Sequence, residues 1–315
     1  MHLKRGVLMN SKLLLVTSFV TGTILMALEM VGSRVLAPYF GNSIYVWGNL
    51  IGAIMLAMSI GYFLGGKVAD KQTSPKLLYF LILAASIYIL ATLFFYKPLL
   101  DVLMRLGTML GSLIATLILF APSMLLLSMA PPYIIKLVAK TRQVGTAVGI
   151  VNSISTMGNI FGVFFAAFII IPTIGTRSSL IFCFITLLLI TIIGLSSINL
   201  KFISLSLIAL LLLAIPSYAL EKDIVLEEES LYNHIKLEAK DGEYKLFLTN
   251  HRNMHSVRNI EYYLTGRYYE YFLLLPQITQ IDNLLILGMG AGTSVDQFLY
   301  YYPDINIDAV EIDGK

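Results

Sequence analysis

The 315-residue chain is 57% hydrophobic and 13% charged, with a mean hydropathy of +0.79. A water-soluble domain carries about twice that share of charge, so a purely soluble fold is excluded. The formal charge of +3 conceals two opposed regions: residues 1–220 hold 14 Lys and Arg against 3 acids, and residues 221–315 hold 8 against 16.

The apolar region comes first. A helix needs about 20 apolar residues to cross roughly 30 Å of hydrocarbon. Seven stretches qualify, near residues 13–36, 47–66, 77–96, 106–129, 144–171, 179–198 and 202–219. The first is too long for a cleaved signal and carries Glu29 near its end, so it reads as an uncleaved helix in the bilayer. With a cytoplasmic N-terminus, the inner segments hold ten Lys and Arg and the outer loops four, Arg34, Lys97, Arg105 and Arg177. That asymmetry favours a multi-pass protein of the cell membrane with its N-terminus inside.

Glu29 and Arg34 are the charges closest to a helix core. They read as an ion pair or interfacial anchor, or as a substrate or cation site built on Glu29. The fifth span places Asn152 and Asn159 seven residues apart on one face, among Gly145, Gly149, Gly158 and Gly162. Close helix packing and a polar passage are both compatible with that pattern. In the second span, Gly48 with Gly52 and Gly61 with Gly65 carry the same close-packing signature. Gly65-Gly66-Lys67-Val68-Ala69-Asp70-Lys71 then reads as a turn, and it resembles the cytoplasmic loop between helices two and three of major facilitator transporters. Six or seven helices make at most half of such a transporter, which implies a homodimer. Cys183, the one cysteine, lies in an apolar run, so the chain can form neither an internal disulfide nor a thiolate metal cluster.

After Glu221 the period changes. Ile235 and Leu237 alternate with polar residues, Asp241-Gly242 offers a turn, and Tyr244, Leu246 and Leu248 alternate again, which predicts a β-hairpin within residues 230–260. Residues 261–275 read as an aromatic-rich helix. Residues 283–287 form a strand running into Gly288-Met289-Gly290-Ala291-Gly292, followed by a helix and a strand over 306–312. This is one βαβ unit, spanning 283–315. Its glycines allow close backbone approach to a ligand, the helix offers free amides, and Glu311 ends the second strand where it can hold ribose hydroxyls. The pattern predicts a nucleoside-cofactor site formed by Gly288, Gly290, Gly292 and Glu311, the alternative being a tight structural strand-to-helix turn with a solvated Glu311. Metal ligands are not expected. The acidic tail is also unsuited to nucleic acid, whose binding depends on phosphate neutralisation, and would accept a cationic small molecule.

The hairpin containing Ser230-Leu231-Tyr232-Asn233-His234-Ile235, the Tyr268-Tyr269-Glu270 segment, the glycine loop and Val310-Glu311-Ile312-Asp313 together resemble the N-terminal part of the polyamine aminopropyltransferases, the spermidine synthase family. The stretch from Glu29 to Pro38 resembles the membrane domains fused to such proteins. The resemblance implies an α-helical multi-pass bundle over 1–220, then over 221–315 a small hairpin and the start of a Rossmann-like, methyltransferase-type α/β domain. It implies aminopropyl transfer from decarboxylated S-adenosylmethionine to a polyamine or other amine, without metal. Asn233 stands where the family commonly has a Gln contacting the nucleoside. Tyr269 replaces a His, and Ala291 replaces an Asp that would bind the cationic acceptor. The family's general base is an Asp on a later strand, expected beyond Lys315. A second reading is a transporter or membrane sensor whose tail binds a nucleoside or polyamine without chemistry. Seven spans would place the tail outside and cofactor supply would place it in the cytoplasm, so the sequence leaves its side open.

Overall fold

The computed structural model describes residues 11–196, 223–230, 232–248, 254–259 and 261–314. Its contacts divide into two compact units, Met1–Tyr218 and Ala219–Lys315. The first is helical: α1 (Ser11–Phe40), α2 (Ile44–Lys71), α3 (Pro75–Leu103), α4 (Gly107–Leu119), α5 (Ala121–Ser128), α6 (Ala130–Val138), α7 (Val144–Phe165), a π-turn over Ala166–Ile170, and α8 (Ile171–Ser196). Five apolar helical runs among the described residues are long enough to cross a membrane.

Two of those runs fold back. Gly107 and Gly175 interrupt them at φ 80° and 74°, a region open to glycine because it lacks a Cβ. Thr17 and Tyr79 share a 3.0 Å hydroxyl contact, and a Cβ on Gly194 would lie 2.1 Å from the Tyr79 ring. The end of α8 has therefore returned to the level at which α1 and α3 begin. Likewise Gly111 lies against Phe40 and the Leu103 carbonyl, whereas the backbone N–H of Ser74 donates to the Tyr133 hydroxyl at 3.0 Å. The stretch from α4 to α6 is thus one return leg, broken where Pro122 and Pro131 remove helix N–H groups. Six legs result among the described residues. The fourth reaches Val138, farther than its apolar run predicts, and the seventh expected span, residues 202–219, lies outside the described residues.

Glycines set the closest crossings. A Cβ at Gly158 or Gly162 would stand 2.2 or 2.1 Å from the Phe19 and Thr23 carbonyls of α1. A Cβ at Gly61 or Gly65 would likewise stand 2.4 or 2.6 Å from the Leu125 and Met129 carbonyls. Gly48, Gly52, Gly145 and Gly149 have nothing within 4 Å, so only one glycine pair of each helix has the packing role expected of both. The Gly65–Lys71 stretch is helical throughout and the connection shrinks to residues 72–74, with Asp70 paired to Lys136 of α6 at 2.8 Å.

The second unit contains a four-stranded antiparallel sheet in the order β1 (Ile224–Glu229), β2 (His234–Lys240), β3 (Glu243–Leu248), β4 (Met254–Asn259). Asp241 and Gly242, at φ 52° and 78°, make the turn that matches strand twist between β2 and β3. Ile235, Leu246 and Val257 are buried on the sheet. Residues 261–275 do not form the expected helix: a 3₁₀ segment covers Tyr268–Leu274 and one α-turn covers Leu275–Ile278. Gly266 at φ 68° breaks the helix upstream, and the Glu270 carboxylate accepts the Gly266 N–H at 2.6 Å together with that of Thr265. Beyond it, β5 (Asn283–Leu287), α9 (Thr293–Tyr301) and β6 (Asn306–Val310) form a βαβ unit with β5 and β6 parallel and in register from Asn283↔Asn306 to Leu287↔Val310.

Candidate functional site

At the carboxyl ends of β5 and β6 the chain builds an anion-lined turn. The Gly288 N–H donates to the Val310 carbonyl at 2.8 Å, and Gly288, Gly290 and Gly292 all have positive φ, 77°, 56° and 84°. Glu311 closes the turn. One of its carboxylate oxygens accepts the Gly290 N–H at 2.9 Å and the other accepts those of Ile312 and Asp313 at 2.9 and 3.1 Å. The Gly290 bond first, and the Asp313 bond after it, hold this carboxyl below its ordinary value. A carboxylate has about four acceptor positions, so this one keeps room for a further donor.

Each glycine has its own reason. A Cβ on Gly290 would lie 2.7 Å from the Ser256 hydroxyl of β4, so that residue is glycine for a contact within the unit. Gly288 has nothing within 4 Å, which leaves its flank open to a ligand. Ser256 also accepts the Ala291 N–H at 3.0 Å, and the Thr293 hydroxyl links to both the N–H and the carbonyl of Val257 at 2.8 Å. These bonds fasten the start of α9 to the edge strand of the antiparallel sheet.

Asn233 reaches the turn through an intermediary. Its amide donates to Asp313 at 3.1 Å, and the Ser230 hydroxyl bonds the same carboxylate oxygen. Ser230 also accepts the Tyr232 and Asn233 N–H groups at 3.1 and 2.8 Å, so the entry to β2 is locked against the end of β6. Sequence reasoning named Asn233 and Glu311 but gave no role to Ser230, Ser256, Thr293 or Asp313. The signal for Asp313 was its place two residues after Glu311; nothing in the local sequence marked Ser256.

The two expected acceptor positions, Tyr269 and Ala291, line two cavities that share Ser256 and Thr293. Tyr269 is 5% exposed, its hydroxyl donates to the Met254 carbonyl at 3.3 Å, and its ring lies 4.1 Å from that of Tyr268. Burial, reinforced by the Tyr268 hydroxyl, pushes its phenol well above the ordinary value. It lines a cavity of about 360 Å³ with Gly288, Met289 and Phe298. Ala291 is exposed and lines a different cavity of about 600 Å³, beside Tyr262, Tyr263 and Asp296. Leu285, Leu287, Val310 and Ile312 are all more than half exposed on the parallel sheet and its end.

In the helical unit, Glu29 is half-buried in the second half of α1. Asn159, with its amide nitrogen turned toward α1, donates to the Gly22 carbonyl at 3.0 Å, while Asn152 is exposed on the helix surface. Among the described residues, no group of three or more His, Cys, Asp or Glu could hold a metal ion.

The chain is similar, in part, to a polyamine aminopropyl transferase. It is 38% identical over 96 residues to a protein of Bifidobacterium longum (strain NCC 2705) named "Probable polyamine aminopropyl transferase", a match covering 30% of this chain and 22% of that protein. The matched stretch thus spans about a fifth of that relative's length. No family model matches the chain, and no solved structure matches it.

Proposed function

We propose that the second unit is the nucleoside-binding part of an aminopropyltransferase-like protein tethered to the membrane by the helical unit, and that its co-substrate is decarboxylated S-adenosylmethionine. The observation that carries the reading is the Glu311 carboxylate, kept ionised beside the open flank of Gly288 at the ends of two parallel strands. Partial similarity to a protein named as a polyamine aminopropyl transferase supports the same reaction class. In this reading the remaining acceptor position of Glu311 receives a ribose hydroxyl, and the amides at the start of α9 face the rest of the nucleoside. Asn233 and Ser230 act on the nucleoside only through Asp313, as positioning residues for the Glu311 segment.

The chemistry joins an amine nitrogen to the aminopropyl carbon attached to the sulfonium. The carbon–sulfur bond breaks, methylthioadenosine leaves, and the amine gives one proton to a base. We assign that base to no residue of this chain. Further strands against the apolar surface around Leu285 and Leu287 would cover a parallel sheet, which ordinarily is buried on both faces. Incubating the full chain in nanodiscs with decarboxylated S-adenosylmethionine and labelled putrescine should yield labelled spermidine and methylthioadenosine. Methylthioadenosine binding with no amine product would instead favour the second reading, a tail that binds without chemistry. That reading draws support from Ala291, which offers no carboxylate to a cationic acceptor.

A further inference from the structure

One end of the helical unit gathers positive charge on a fixed frame. Tyr133 of α6 is fully buried, and its hydroxyl both accepts the Ser74 N–H and bonds the Ser74 carbonyl, each at 3.0 Å. Lys140 donates to the Thr73 carbonyl at 3.3 Å, and Lys136 pairs with Asp70 at 2.8 Å. These contacts lock the α2–α3 connection to α6 and the start of the α6–α7 connection. Lys67, Lys71, Lys76, Lys136, Lys140 and Arg142 are consequently displayed together, all exposed. Asp70 is the one acid between Glu29 and Asp101 in the sequence, so six bases face one carboxylate.

The charge is continuous with apolar surface. On α2, Tyr62, Phe63 and Leu64 are 41%, 61% and 37% exposed just before Lys67, whose ammonium sits 4.2 Å from the centre of the Phe63 ring. A soluble anion would need the bases alone. A phospholipid needs both features, acyl-facing side chains and, one turn along the helix, cations for the phosphate.

We infer that this end of the bundle, centred on Lys67, Lys71, Lys76, Lys140 and Arg142, is a binding surface for the headgroups of anionic phospholipids. The test uses the full chain in nanodiscs of phosphatidylcholine with or without phosphatidylglycerol. Native mass spectrometry reads the phosphatidylglycerol retained after release. The wild type should retain it in preference to phosphatidylcholine. The triple variant Lys71→Gln, Lys76→Gln, Arg142→Gln should bind it about 100-fold more weakly. The charge-preserving variant Lys71→Arg, Lys76→Arg, Arg142→Lys should retain it like the wild type. Equal retention by the wild type and the Gln variant would overturn the proposal. So would full displacement of the lipid by millimolar inorganic phosphate, which would mark a site for free phosphate.

Discussion

Glu311 is the residue on which the tail turns, and its bonds give it a pH signature. Its carboxyl is lowered by backbone N–H groups, and Glu270, pushed upward by burial, is brought below its ordinary value by the Thr265 and Gly266 N–H groups. A lowered folded-state value means that each contributes stability present above the unfolded value, about 4.5, and lost as pH falls through the folded value. Urea unfolding followed by tyrosine fluorescence should therefore show the tail weakening below about pH 4, with a shallower acid limb in Glu270→Gln. Gly290→Ala tests the turn itself. It combines a left-handed φ with a Cβ 2.7 Å from Ser256, and should cost about 1–3 kcal/mol in the same assay. In a Ser256→Gly background the same Gly290→Ala substitution should cost less, because the obstruction is gone.

At the scale of elements, helix pairing depends on which glycines are covered. Gly162→Ala drives a Cβ into the Thr23 carbonyl and should lower the melting temperature in detergent, at a cost of about 1–3 kcal/mol; Gly149→Ala meets open space and should be neutral or slightly stabilising. Sequence pattern could find both glycine pairs of α7 because spacing alone carries that signal. It could not separate them, because coverage depends on where α1 lies. Much of the tail was legible in the same way. The Asp241-Gly242 turn and the β5–α9–β6 unit follow from local rules, and both are present. β1 was missed because Leu226 is followed by three glutamates that hide its extended backbone, and β4 because Met254-His255-Ser256-Val257 lacks apolar alternation. The segment 261–275 was misread as a helix because its apolar side chains outweigh one breaking glycine, whose φ the sequence does not print. Glu270→Ala should expose the importance of that break, costing about 1–2 kcal/mol by freeing two backbone N–H groups.

At the scale of the whole molecule, a basic helical unit and an acidic α/β unit are joined in one chain. Six legs return residue 196 to the level of the bundle at which α1 begins, so the side taken by the tail depends on residues 197–222. The proposed chemistry needs a cytoplasmic nucleoside, and a green fluorescent protein fused after Leu220 should fluoresce; an active periplasmic phosphatase at the same position would show the opposite side. The most direct measurement of the central claim is calorimetric titration of methylthioadenosine into the wild type and into Glu311→Ala, with circular dichroism confirming that both are folded. The account predicts saturable binding to the wild type and affinity at least about tenfold weaker in the variant, the loss expected when a charged acceptor is removed from a hydrogen-bonded ligand. Equal affinity in the two proteins, or no binding to the wild type, would contradict it.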